Sequence, residues 1–104
     1  MARLRWSVAA EQDLIGIADF VAKDSALYAV NVIERILSGA EKLEENPLLG
    51  RVVPEYERED LRELIVGRYR LVYVARSDEV VIARVVHGAR ELERVLGFEP
   101  WRLI

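Results

Sequence analysis

A chain of 104 residues, 52% hydrophobic and 32% charged, is long enough for one domain with its own core and too apolar to stay disordered. The absence of cysteine excludes a disulfide framework or thiolate metal site, and a single histidine excludes most histidine-based metal sites. A net charge of −3 and a pI near 5.2 argue against a general nucleic-acid binder, whose domain is usually strongly basic.

From the N-terminus, Arg3 to Trp6 alternates polar and apolar residues and predicts a short strand. Ser7 follows as a candidate N-cap, although Glu11 falls one place late for a capping box. Ala10, Leu14, Ile17, Ala18 and Val21 keep helical spacing to about Lys23. Asp24 or Ser25 restarts a helix whose apolar stripe is Val30, Ile33, Leu37 and Ala40, ending near Asn46-Pro47. So short a break predicts an antiparallel helical hairpin.

Pro47-Leu48-Leu49-Gly50 reads as a turn, followed by Arg51-Val52-Val53 and a charged stretch to Asp60. Leu61–Val66, Tyr69–Arg76 and Val80–His87 are strand-like, hinged at Gly67 and at Ser77-Asp78, which predicts an antiparallel meander. Strict alternation places Tyr69, Leu71, Tyr73 and Ala75 opposite Arg70, Val72, Val74 and Arg76. In the last strand it places Val81, Ala83, Val85 and His87 opposite Val80, Ile82, Arg84 and Val86. Both faces are apolar, so the helices are expected on one, and the tail or a partner on the other. The expected architecture is one α+β domain over 1–104, β-α-α-β-β-β, with a helical hairpin on an antiparallel sheet.

No apolar run reaches the ~20 residues of a membrane helix. Met1 to Trp6 lacks the apolar stretch of a signal peptide, so a cytoplasmic protein with no membrane association is expected. No glycine-rich phosphate loop, paired catalytic carboxylates or serine-nucleophile motif points to a metabolic enzyme, and no metal or cofactor is expected. Every cation from Pro47 onward is arginine, whose planar fork suits carboxylate or phosphate. Arg70, His87 and Arg90 are expected to converge at one end of the sheet as a site for an anion or an acidic partner. The plainer reading of Arg70 is an internal salt bridge to Glu63 or Glu91. The tail from Phe98 to Ile104, with Trp101, is unusually apolar for a terminus and either packs back or meets a partner.

Trp6-Ser7 leading into Ala10, Asp13-Leu14 and Ile17 begins an ordered series of short matches. It continues through Asn46-Pro47, Gly50-Arg51, Arg62-Glu63, Tyr69-Arg70-Leu71-Val72-Tyr73 and His87-Gly88-Ala89-Arg90. In order and spacing the series resembles the RelE/ParE toxins of bacterial type II toxin–antitoxin systems. The resemblance implies one of two activities. RelE-like members are ribosome-dependent mRNA endonucleases, whose cleavage needs a general base, a general acid and cations around the phosphate. Arg70 and Arg90 match the arginines of that set, but its lysine positions fall on Leu61 and Glu63 and its tyrosine position on Leu96. Glu55, Arg70 and His87 could instead imitate the set of relatives that use a histidine.

ParE-like members bind DNA gyrase, stabilise its cleaved-DNA complex and need no chemistry of their own. The ParE-like branch is the expected one, with Arg70, His87 and Arg90 as target-binding candidates and no direct sequence-specific nucleic-acid binding. The alternatives are the endonuclease and an inactive toxin that only binds its antitoxin. The resemblance also implies a ParD-like antitoxin forming a hetero-oligomer with this chain. Its candidate contacts are Leu14, Ile17, Val21, Val30, Ile33 and Leu37 on the helical hairpin, and Trp101.

Overall fold

A computed structural model describes residues 1–88. In chain order the elements are β1 (Arg3–Trp6), α1 (Val8–Ala22), α2 (Ala26–Glu45), β2 (Arg51–Val52), β3 (Leu61–Val66), β4 (Tyr69–Ala75) and β5 (Glu79–His87). They form the expected β-α-α-β-β-β order with one further strand, the two-residue β2, ahead of the meander: two helices on a five-stranded sheet arranged β1-β5-β4-β3-β2. The meander β3-β4-β5 is antiparallel, and β1 adds to it in parallel alongside β5, with Trp6 opposite Ile82.

Local chemistry sets the helix ends. The Ser7 hydroxyl accepts from the Ala10 N–H at 3.0 Å and starts α1, and Ser25 does the same for α2 through the Tyr28 N–H. Gly67, at φ +58°, supplies the left-handed backbone of the β3–β4 turn.

The main core lies between the hairpin and the sheet. Ala10, Ile36, Ala40, Leu43, Leu71, Tyr73, Val80, Ile82 and Val85 are buried there, with Leu14 and Ile17 packed against them. Each fully buried branched side chain contributes about 1.5–3 kcal/mol. The stripe expected on α2 is rotated in the structure: Ala29, Ile36, Gly39, Ala40 and Leu43 are buried, whereas Val30 and Leu37 remain 52% and 38% exposed. The cause is the closeness of helix and sheet. A Cβ on Gly39 would stand 2.8 Å from a Val66 methyl, so the face of small residues turns inward.

One further expectation is corrected. Val72 pairs with Arg84 but Tyr73 pairs with Ile82, which leaves Ala83 as a bulge residue. The bulge reverses the alternation, so Val85 joins Val80 and Ile82 on the helix side instead of facing away from them. The reason is at β1: its pairing ends at Ile82, and beyond it the Ser7 hydroxyl donates to the Ala83 carbonyl at 2.7 Å. Asp13 then accepts the Val85 N–H at 2.9 Å and binds the Arg84 guanidinium at 2.8 and 2.9 Å. The second face, expected to meet the tail or a partner, carries its own cluster of Val53, Leu61, Val72, Val74 and Val86. Tyr56 packs on it from the segment joining β2 to β3.

Candidate functional site

Arg70 leaves β4 on the second face, between Ile65 of β3 and Val86 of β5. Its Nε donates to the Glu63 carboxylate, and its two terminal nitrogens reach Glu55 at 3.1 Å each. Glu63 also accepts from Arg51 Nε at 2.7 Å. The side chain of Glu63 is fully buried and that of Arg70 only 10% exposed. The result is a chain of alternating charge, Arg51–Glu63–Arg70–Glu55, in which the carboxylate without solvent has a cation on either side. Burial opposes the charge on Arg70, but the hydrogen bonds to Glu55 and Glu63 outweigh it and raise the guanidinium pKa. The same contact with Arg70 holds the Glu55 carboxyl below its ordinary range. The internal salt bridge read from the sequence is therefore present, with Glu63 as one partner and Glu55 as a second.

His87 lies at the same end of the sheet but on the other face. It stands opposite Tyr69, with the two rings edge-on at 5.7 Å between centroids. Both border a cleft of about 370 Å³ between the helices and the β3–β4 turn, with Tyr28, Arg35 and Arg68 on its other sides. Glu55 and Arg70 come together as expected, but His87 does not join them: the bulge at Ala83 turns it to the helix side. Arg90 lies outside the described residues. Leu61 and Glu63, at the lysine positions of the endonuclease set, are both buried.

The hairpin candidates divide by depth. Leu14 and Ile17 are committed to the core, Val21 and Ile33 are half-buried, and Val30 and Leu37 are exposed beside Leu27, which is 73% exposed. Trp101 lies outside the described residues. A residue not expected to act beyond the core is Tyr73. Its buried hydroxyl accepts the Gly50 N–H at 2.9 Å and donates to the Pro47 carbonyl at 2.7 Å, tying the turn after α2 to the sheet centre. Burial pushes the phenol pKa up. A tyrosine at the middle of the inward face of β4 was the available signal, because a buried hydroxyl requires partners. Asp13 was likewise legible only as a polar residue beside the α1 stripe.

Among the described residues no group of histidines and carboxylates is arranged to hold a metal ion, and no helix is long and apolar enough to cross a membrane. Residues 4–92 match the family model described as the ParE toxin of the type II toxin–antitoxin system parDE. The chain is 34% identical over 91 residues to Toxin RelE2 of Caulobacter vibrioides, covering 86% of this chain and 99% of that protein. It also superposes on a solved structure from the chromosomal ParDE TA system of P. aeruginosa with a TM-score of 0.70. That match covers 84% of this chain and 96% of the other at 22% identity, a likeness of fold.

Proposed function

This chain belongs to the ParE toxin family of type II toxin–antitoxin systems, and from that premise we propose that it arrests growth by binding DNA gyrase. In this reading it stabilises the enzyme's cleaved-DNA complex, performs no chemistry of its own and is neutralised by a ParD-like antitoxin. The observation that carries the reading is the division of the candidate catalytic residues between two faces. Arg70 is clamped by Glu63 and Glu55 on one face, and His87 sits beside Tyr69 on the other. A phosphate cleaved between a general base and a general acid has to contact both at once. The leucine at one lysine position transfers no proton, and the glutamate at the other is an anion that repels phosphate. The antitoxin is assigned to the exposed part of the helical hairpin, around Leu27, Val30 and Leu37, which suits the apolar side of an amphipathic helix.

The runner-up is the mRNA endonuclease. The name of the Caulobacter relative, Toxin RelE2, and the pairing of Glu55 with Arg70 favour it. Gyrase supercoiling and DNA-cleavage assays with the toxin freed from antitoxin separate the two. Loss of supercoiling with accumulation of linear DNA is expected. Folded protein that leaves gyrase untouched and cuts mRNA in a translating ribosome system would overturn the proposal.

A further inference from the structure

The cleft beside His87 differs from the aliphatic core next to it. Four rings border it: Phe20 and Tyr28 from the helical hairpin, and Tyr69 and His87 from the paired ends of β4 and β5. Phe20 and Tyr28 stand 69% and 54% exposed, where large rings are ordinarily covered. The Tyr69 and His87 rings meet at 82° and form a corner. A flat ligand lying on the face of one ring meets the edge of the other, and both contacts suit the aromatic quadrupole.

The charge of the cleft is opposite in sign to that of the chain. Arg35 and Arg68 border it, neither of them ion-paired among the described residues, and Asp24 is the carboxylate on its lining. The chain as a whole carries a net charge of −3. The backbone of Arg68 is fixed, since its carbonyl accepts the Gly88 N–H at 2.8 Å beside the left-handed turn at Gly67. Tyr28 and Arg35 lie on one face of α2, two helical turns or about 10 Å apart along its axis. A flat ring held at the Tyr28 end, carrying an anion on a short spacer, delivers that anion to the guanidiniums.

We propose that this cleft binds a single nucleotide, with the base on the ring corner and the phosphate between Arg35 and Arg68. Its volume of about 370 Å³ is at the small end of ligand pockets, which begin near 300 Å³. That space takes one base with its sugar and phosphate. The planar fork of arginine matches phosphate oxygens in pairs. Asp24, one turn before Tyr28, accepts a ring amine or a sugar hydroxyl. A neutral aromatic would leave both guanidiniums unused, and an aliphatic anion would leave the rings unused. Every base has a π-face, so the site reads planarity and phosphate rather than sequence. A double helix hides those faces, so the nucleotide is free, belongs to a single strand or has left the stack. The cleft lies apart from the Arg70 network and from the exposed Leu27, Val30 and Leu37, and its occupation does not depend on gyrase being the target.

His87 is the single histidine of the chain, so its ring protons report the site without ambiguity. Deoxyadenosine 5′-monophosphate is titrated into the full chain freed from antitoxin, and the His87 ring resonances are followed by NMR. A saturable shift that weakens with added salt is expected. Deoxyadenosine, which lacks the phosphate, and inorganic phosphate, which lacks the base, are each expected to bind at least about tenfold more weakly. Arg35→Gln combined with Arg68→Gln, in protein whose circular dichroism is unchanged, is expected to weaken nucleotide binding by the same factor. The comparison of ligands needs no variant. Equal binding of deoxyadenosine overturns the proposal by reducing the cleft to an apolar pocket, and equal binding of phosphate overturns it by leaving only an anion site. No shift of His87 at millimolar nucleotide overturns it as well, as does binding untouched by the two substitutions. A 5′-phosphorylated single-stranded pentadeoxyadenylate distinguishes the sources once the nucleotide binds. Tighter binding than the mononucleotide assigns the cleft to a strand, and equal or weaker binding assigns it to the free nucleotide.

Discussion

Arg70 and His87 are one register step from being cross-strand neighbours, yet their side chains leave opposite faces of the sheet. Arg70 pairs with Val86 and enters a buried ion network, and His87 pairs with Tyr69 and borders the helix-side cleft. Their separation is the observation on which the proposed binding mode, rather than nuclease chemistry, rests.

The first consequence concerns toxicity. His87→Ala is expected to reduce growth arrest far less than the roughly hundredfold or greater loss that follows removal of a general acid or base. Truncation after Gly88 is expected to reduce it more than His87→Ala does. Growth curves under inducible expression of each variant, without antitoxin, measure both. Complete loss from His87→Ala with antitoxin binding intact would instead support catalysis.

Glu63 is predicted to stabilise the fold only as part of its network. Glu63→Gln removes the charge between Arg51 and Arg70 and leaves Arg70 buried with a single partner at Glu55. The expected loss is about 3 kcal/mol, read as a shift of the urea midpoint at constant slope. Replacing Glu63 and Arg70 together with leucine and methionine is expected to recover most of it, because no unpaired charge then remains inside.

The Tyr73 hydroxyl gives a second stability test. Tyr73→Phe keeps the packing but strands the Gly50 N–H and the Pro47 carbonyl, for an expected cost of about 1–3 kcal/mol. Gly50→Ala is expected to be worse, about 3 kcal/mol or more, since the new Cβ would lie 2.4 Å from the Glu63 carbonyl oxygen. Thermal unfolding of the two variants beside the parent orders them.

Acid sensitivity follows from two carboxylates. Arg70 holds the Glu55 carboxyl below its ordinary 4.5, and Arg58 holds that of Asp60 below its ordinary 3.8. A depressed folded pKa means that the native state binds fewer protons than the unfolded chain. Stability from these pairs is therefore complete above about pH 4.5 and is lost as pH falls through the depressed values. Urea midpoints measured from neutral pH to pH 3 should show this decline, and the pair Glu55→Gln with Asp60→Asn should flatten it.

Much of the fold was legible because local chemistry wrote it. Ser7 and Ser25 cap the two helices from the sequence positions where the apolar stripes begin, and Gly67 turns the chain between two alternating runs. The site was less legible. Arg70 was identified, with Glu63 or Glu91 as its salt-bridge partner, whereas Glu55 was tied to it only through the resemblance, because it arrives from a segment with no regular period. His87 was grouped with Val81 and set against Val80 and Ile82 because alternation presumes an unbroken strand, and Ala83 breaks it.

The amino-acid order alone determined the order of the main elements, the hairpin of helices, the meander and the family to which they belong, though not the two-residue β2. Those depend on periodicity, caps and turns, which act over a few residues. Tertiary structure alone decided the parallel addition of β1, the inward turn of the Gly39 face of α2, the bulge at Ala83 and hence the separation of His87 from Arg70. Each of these depends on contacts between segments far apart in the chain, such as Ser7 with Ala83 or Gly39 with Val66. A local pattern carries no record of the partner that arrives only when the chain closes.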